Sequence, residues 1–255
     1  MDLHELADDL LTTTGRNETP FGVYVLESGD PASALARHVE SEVFLEFFGN
    51  TVDMLDTEYR PYEAASTFLC VIDHQRCVPA GMIRLIAPSP AGFKTLHDLD
   101  AIWGLATADL ARPEPVGLDT SSLWDLATLA VARDYRSAAS SGLVSMALYQ
   151  ALNMLGHAHG IRWATAVMDV VVLDLINSAW QRPFTGIPGA APRRYLDSPA
   201  SLPVFCDVVD YRMRLAFLDP PTHAILFEGR GIETMVSTPR WESGPEVAPG
   251  IAGVG

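Results

Sequence analysis

One segment, residues 123–169, constrains the fold of this chain more than any other. It contains an apolar run at 126–131, a short polar loop with arginines, an amphipathic stretch over about 142–159 and a second apolar run at 162–168. The two runs predict strands and the periodic stretch between them predicts a helix. In an α/β unit of this kind, the loop and the helix N-terminus direct backbone N–H groups at one point, where they can bind an anion.

The upstream sequence adds further strands to the same sheet. Residues 21–26 alternate in hydrophobicity and predict a first strand. A helix is predicted from Pro31 to about Phe48. The apolar runs at 66–73 and 78–86 are separated by a polar turn, which predicts a hairpin. The order of strand, helix, hairpin, strand, helix and strand therefore indicates an α/β protein.

Shorter elements complete the predicted organisation. A short helix is predicted near 96–103 and another helix at 171–180, and residues 202–209 predict a strand or the start of a helix. We expect an N-terminal helix and loop over residues 1–20, a main domain over 21–236 and a disordered tail over 237–255. The predicted boundaries are therefore those of one main domain with two short flanking segments.

Composition excludes several classes of function. The net charge is −15, whereas a general nucleic-acid binder needs a basic surface to neutralise phosphates. No apolar run is long enough to cross a membrane, and the acidic N-terminus does not resemble a signal peptide. The three cysteines are widely spaced, which indicates neither a zinc site nor a disulfide framework. We therefore expect a cytoplasmic protein with no bound metal.

The loop that follows the central strand resembles a known motif. Residues 136–141 read Arg-Ser-Ala-Ala-Ser-Ser, on the spacing Gln/Arg-x-x-Gly-x-Gly/Ala of the GNAT acyltransferases. The resemblance implies the GNAT-like α/β fold, a twisted mixed sheet flanked by helices, and acyl-CoA as a cosubstrate with no tightly bound cofactor. It places the acyl-CoA site at Leu129, Val131, Arg136, Ala139, Ser141, Gly142 and Leu143. The alternative is an ordinary βαβ unit that binds no ligand.

A narrower resemblance lies upstream. The pair Val43-Phe44, the spacing Asp53-x-x-Asp56 and the sequence Gly81-x-x-Arg84-Leu85 are similar to the acyl-homoserine-lactone (autoinducer) synthases and related N-acyl amino acid synthases. This resemblance implies a fatty acyl thioester as donor. Asp53 and Asp56 would then bind an ammonium group, and Arg84 would hold a carboxylate. The alternative is an Arg–Asp network that fixes a loop.

Acyl transfer to an amine also needs a group that accepts a proton. Asp125 lies near the start of the central strand and is the candidate base, directly or through water. The alternative is a solvated carboxylate at a strand end. GNAT enzymes often place a tyrosine acid on the helix at 171–180, where this chain has Trp180. Another group, for which Tyr195 is the candidate, then donates the proton, or the thiolate leaves unassisted.

These observations together predict an N-acyltransferase. The donor would be acyl-CoA or the thioester of an acyl-carrier protein, and the acceptor a small amine or amino acid. The sequence indicates neither nucleic acid nor a membrane as a partner. The alternative is a catalytically degenerate GNAT fold that binds CoA or a partner protein without turnover.

Overall fold

The computed structural model describes residues 2–15, 18–112, 116–136, 142–239 and 241. The strands are β1 (Phe21–Glu27), β2 (Ser66–Asp73), β3 (Val78–Ile86), β4 (Leu123–Val131), β5 (Trp163–Asp169), β6 (Thr185–Gly186), β7 (Arg193–Tyr195), β8 (Ser198–Asp207) and β9 (Val236–Ser237). The helices are α1 (Leu3–Thr14), α2 (Ser33–Phe48), α3 (Val52–Tyr59), α4 (Lys94–Trp103), α5 (Thr107–Leu110), α6 (Leu143–Ala158), α7 (Val170–Ala179), α8 (Val208–Leu218) and α9 (Pro220–Glu228). Short 3-10 turns lie at Arg60–Ala65, Thr120–Ser122 and Arg133–Tyr135.

The strands form one mixed sheet in the order β6-β8-β5-β4-β3-β2-β1-β9, with β7 paired to β8. The pairs β4–β5 and β1–β9 are parallel, and the other neighbours are antiparallel. The predicted β2–β3 hairpin has the predicted bounds. The predicted run at 126–131 is confirmed as part of β4, although the strand begins three residues earlier, at Leu123.

Helices cover both faces of this sheet. Successive strand residues point to opposite faces, so the two apolar faces draw on alternate residues. On the first face, α1 and α2 pack against residues such as Phe68 and Ile72. On the second face, α6 packs against residues such as Leu69 and Val71. α4 extends the first layer over β4 and β5, while α7, α8 and α9 extend the second. The sheet is therefore buried on both sides.

Two glycines determine where α6 lies. Gly142 precedes the helix with φ +69° and ψ 13°, a left-handed conformation that glycine adopts without steric cost. Gly81 of β3 faces α6, and a Cβ atom there would lie 2.7 Å from Cγ1 of Val144. Only glycine lets the helix approach the strand this closely. The glycine of the Gly81-x-x-Arg84-Leu85 sequence thus has a packing function.

The centre of the sheet is splayed. β4 pairs with β5 only between Leu123–Asp125 and the three residues from Trp163 to Thr165. Beyond Asp125, β4 continues beside β3, and β5 continues beside β8. A shift in register between β3 and β4 at Arg84/Leu85 bends β4 at this point. The facing edges of 126–131 and 166–169 therefore have no strand partner, and a wedge opens between them.

The ends of the chain are described only in part. β9 pairs with β1 at Phe21 and Gly22, but the tail predicted from residue 237 falls mostly on residues 242–255, which lie outside the described residues. Within the ranges given above, no helix is both long and apolar enough to cross a membrane.

Candidate active site

The wedge between β4 and β5 contains a cavity of about 190 Å³. Leu126 and Leu129 of β4 and Ala164 and Ala166 of β5 form its central walls. Because the two strands diverge here, the cavity passes through the sheet and has walls from helices on both faces. Small residues on β5 leave the space open, and large apolar residues on β4 make its wall hydrophobic.

The part of the cavity on the second face is apolar and aromatic. α6, α7 and α8 and the segment after α7 line it with Tyr149, Leu152, Ile176, Trp180, Val208 and Tyr211. The Trp180 ring packs edge-on against the Tyr149 ring, with their centroids 5.3 Å apart. Trp180 thus follows the last residue of α7 and lies on the cavity wall. Such a surface suits an alkyl chain.

The part of the cavity on the first face carries most of its polar groups. Tyr59, Thr128, Tyr195, Ser198 and Asp169 line it. Asp169 is the only charged side chain among the described residues that line the cavity. Its Oδ1 accepts hydrogen bonds from the N–H groups that begin α7, and its Oδ2 accepts one from the Ser198 hydroxyl at 2.7 Å. The cavity therefore has an apolar end and a polar end on opposite sides of the sheet.

Behind the polar end lies a buried cluster around Arg84. Nε and Nη2 of Arg84 donate to the two carboxylate oxygens of Glu40 at 3.0 and 2.6 Å, and Nη1 donates to Glu63 at 3.1 Å. The guanidinium also lies 4.6 Å from the centroid of the Tyr59 ring and 4.7 Å from that of Phe68. The three guanidinium nitrogens of Arg84 therefore all have carboxylate partners, and two aromatic rings pack against the group.

This geometry corrects one sequence-based expectation. Asp53 and Asp56 are exposed on α3, and Arg84 pairs with Glu40 and Glu63 instead. The pairing of Arg84 with the two aspartates is therefore wrong. The guanidinium nitrogens of Arg84 are already bound to Glu40 and Glu63, and neither Arg84 nor either aspartate lines the cavity. The structure does not bring these three residues together as a substrate site.

A second buried cluster surrounds Lys94, the only lysine in the chain. Its Nζ lies 2.5 Å from Glu58 and 2.6 Å from Asp98, and it donates to the Tyr195 hydroxyl at 2.5 Å. That hydroxyl in turn donates to Asp98 at 2.6 Å. Burial, together with nearby Tyr59 and Asp98, raises the pKa of Tyr195 well above its ordinary value. Tyr195 lines the cavity, but this environment makes it a poor acid.

Asp125 is fully buried and faces α4. Its Oδ2 accepts from the Thr95 backbone N–H at 2.7 Å, and its Oδ1 accepts from the Thr95 hydroxyl at 2.6 Å. Burial raises the pKa of Asp125 to about 6. The alternative of a solvated strand-end carboxylate is therefore wrong. Asp125 does not line the cavity, and a base must reach the proton that it removes. Asp125 is therefore placed to hold α4 against β4 through Thr95 and not to take a proton from an amine in the cavity.

Asp125→Asn should stabilise the protein more at high pH than at low pH. The amide can keep both contacts with Thr95 while removing the buried charge. The folded protein binds the Asp125 proton more tightly than the unfolded chain does, so ionisation lowers stability as the pH rises from 3.8 towards about 6. We expect the difference in free energy of unfolding between Asp125→Asn and the wild type to increase by about 2 kcal/mol, in favour of the variant, between pH 4.5 and 8. Urea unfolding at the two pH values measures it, and a pH-independent difference would contradict the assignment.

The residues predicted to bind the donor run from the cavity towards the N-terminus of α6. Leu129 lines the cavity, and the Val131 carbonyl accepts from Arg136 Nε at 2.6 Å. Arg136 Nη1 also donates to Glu46 at 2.8 Å. Gly142 precedes α6, and Leu143 is its first residue. Residues 137–141, which include the predicted Ala139 and Ser141, lie outside the described residues.

Sequence reasoning missed three charged residues of this region. Glu40 lies on the buried stripe of α2, so an acidic residue among core positions was the available signal. Lys94 could be noticed as the only lysine, but nothing in the sequence shows that it is buried. Asp169 ends a strand and begins a helix, a common position for a capping aspartate, and its place on the cavity wall depends on the splay of the sheet.

Solved structures with the same architecture are known. A CoA-dependent acyl-homoserine lactone synthase, BjaI, solved with SAM and isopentyl-CoA, has 14% identity and a TM-score of 0.51, covering 86% of this chain and 93% of its own. FeeM, an N-acyl amino acid synthase from uncultured soil microbes, has 16% identity and a TM-score of 0.51, covering 76% and 93%. The AHL synthase LasI has 13% identity and a TM-score of 0.50, covering 82% and 96%.

These likenesses show the fold. No protein-family model matches the sequence, and the search of curated proteins gives no match. The mixed sheet, its splayed centre and these neighbours confirm the GNAT-like α/β fold that the sequence predicted, including the resemblance to the two groups of synthases.

Proposed function

We propose that this protein is an acyltransferase that moves an acyl group from a thioester, acyl-CoA or an acyl-carrier thioester, to a small amine. The observation that carries this proposal is the cavity through the splayed sheet, with an apolar end and a polar end. The two ends suit two different substrates, an acyl chain and an amine. The unpaired backbone between them can bind the part of the donor that joins them.

The donor would follow the free edge of β4. Its phosphates would meet the N-terminus of α6, where the backbone N–H groups have no side-chain cap. The thioester arm would then run along 126–131 into the wedge, and the acyl chain would enter the apolar end. The isopentyl-CoA in the structure of BjaI supports a CoA thioester as donor.

The reaction joins the two ends of the cavity. The amine, once its ammonium form has lost a proton to solvent, attacks the thioester carbonyl, and a backbone N–H on the free edge of β4 would stabilise the developing oxyanion. The C–S bond then breaks, its electron pair leaves on sulfur, and the second proton that the nitrogen loses passes to the thiolate, directly or through solvent. A thiol has a pKa near 8.5, so the thiolate can leave at modest cost. A tyrosine acid at the position of Trp180 is therefore dispensable.

A panel of acyl-CoAs from acetyl to octanoyl, each incubated with and without simple amines, tests the proposal. Free thiol is measured during the incubation, and the N-acyl product is identified by mass spectrometry. We expect amine-dependent thiol release and an amide product. Binding of CoA with no thiol release would instead identify a binding module without turnover.

Arg136→Ala should weaken binding of acyl-CoA. If Arg136 exchanges its contact with Glu46 for a phosphate, the variant loses a charge-assisted hydrogen bond, worth about 1–3 kcal/mol. Calorimetry measures the affinity. Arg133→Ala is the matched control, because this arginine lies in the same turn but its side chain is 85% exposed. Equal affinities of wild type and Arg136→Ala would exclude the phosphate contact.

A further inference from the structure

The geometry points to an acceptor of a particular class: we propose that it is an alkylamine without a carboxylate, held as an ammonium ion by Asp169. This inference rests on the proposed function, since it identifies the substrate of the polar end.

Asp169 is an unpaired negative charge on a largely apolar wall. Among the described residues it forms no ion pair, and its three hydrogen bonds come from two backbone N–H groups and the Ser198 hydroxyl. Asp169 is half-buried, and these hydrogen bonds leave its charge without a cationic partner. A cation that enters the apolar cavity would gain a charge-assisted contact there. A substrate ammonium group provides this cation and can donate to the carboxylate.

The two buried cations near the polar end are neutralised by the protein. Arg84 is paired with Glu40 and Glu63, and Lys94 is held between Glu58 and Asp98. Neither Arg84 nor Lys94 lines the cavity. A substrate carboxylate would therefore find neither of these two cations free, and it would lie near the negative Asp169. This arrangement favours a plain amine over an amino acid as acceptor.

The local sequence offers a matched control for Asp169. Asp207 also ends a strand, precedes Val-Val and accepts the first N–H groups of a helix. Asp207 does not line the cavity. Asparagine caps helices about as well as aspartate does, so Asp169→Asn and Asp207→Asn both preserve the cap. Only Asp169→Asn removes a charge from the cavity wall.

Binding of three probes of equal chain length tests the inference without requiring turnover. Hexylamine carries a cation, hexan-1-ol is neutral and 6-aminohexanoate adds a carboxylate to the amine. Trp124 and Trp180 line the cavity, so tryptophan fluorescence reports binding, with calorimetry as a second readout. Because no donor is present, the result is independent of whether acyl transfer occurs.

We expect wild-type protein to bind hexylamine roughly tenfold to a hundredfold more tightly than hexan-1-ol, the range for a charge-assisted contact. Asp169→Asn should abolish this preference and leave hexan-1-ol affinity unchanged, while Asp207→Asn should behave as wild type. A hexylamine preference that persists in Asp169→Asn would overturn the assignment of Asp169. Binding of 6-aminohexanoate as tight as that of hexylamine would overturn the exclusion of carboxylates, and no binding of hexylamine would overturn the whole inference.

Discussion

Replacing Arg84 by methionine should lower the free energy of unfolding by about 3–5 kcal/mol, the usual cost of removing one partner from a buried ion pair. Arg84 and Glu40 are both almost completely buried. Without the guanidinium, the Glu40 carboxylate would remain in the core with only the Thr128 hydroxyl as a partner. Urea unfolding at neutral pH measures the loss.

Two further variants isolate the cause of that loss. Arg194 pairs with Asp197 at the surface, where its side chain is 75% exposed, so Arg194→Met should cost less than about 1 kcal/mol. The double variant with Glu40→Met and Arg84→Met should recover much of the stability, because no uncompensated charge remains. A single Arg84→Met variant as stable as wild type would show that the cluster contributes nothing to folding.

Ala166→Phe should reduce kcat/KM for hexanoyl-CoA by about a hundredfold. Ala166 lies on the cavity wall, and an apolar cavity of about 150 Å³ accepts benzene, so a phenyl ring would fill most of the space. The ring would keep about four methylene groups of the hexanoyl chain out of the cavity. At about 0.8 kcal/mol for each buried methylene, this loss corresponds to roughly the stated hundredfold decrease in kcat/KM. Acetyl-CoA, which has little chain to exclude, should lose much less.

The control for this variant is Val171→Phe, which adds a similar ring at a position that is 73% exposed and does not line the cavity. It should retain wild-type kinetics with both donors. Thermal unfolding of both variants shows whether each is folded. A folded Ala166→Phe protein with full activity towards hexanoyl-CoA would place the acyl chain elsewhere.

The fold could be predicted because its signals are local. The β2–β3 hairpin follows from two apolar runs and a polar turn, and α6 follows from its periodicity and from Gly142. The bounds of β4 were less accurate, because the polar Asp125 interrupts the apolar run and only the folded structure shows that Thr95 satisfies it.

The site was harder to predict because its contacts join distant parts of the chain. Arg84 meets Glu40 across 44 residues and Glu63 across 21. Asp53 and Asp56 have a suggestive spacing, but that spacing places them on the exposed side of α3. The cavity itself depends on β4 and β5 separating after Asp125, which hydrophobic patterning does not reveal. Asp169 consequently gained its proposed role only from the structure.

The central claim is that the wedge between β4 and β5 accepts the acyl chain of a thioester donor. Calorimetric titration of the wild-type protein with CoA and with acetyl-, butyryl-, hexanoyl- and octanoyl-CoA tests it most directly. Burying each methylene should strengthen binding by roughly threefold to fourfold until the chain fills the cavity. Equal affinities for CoA and all of its acyl forms, or no binding of any of them, would contradict the claim.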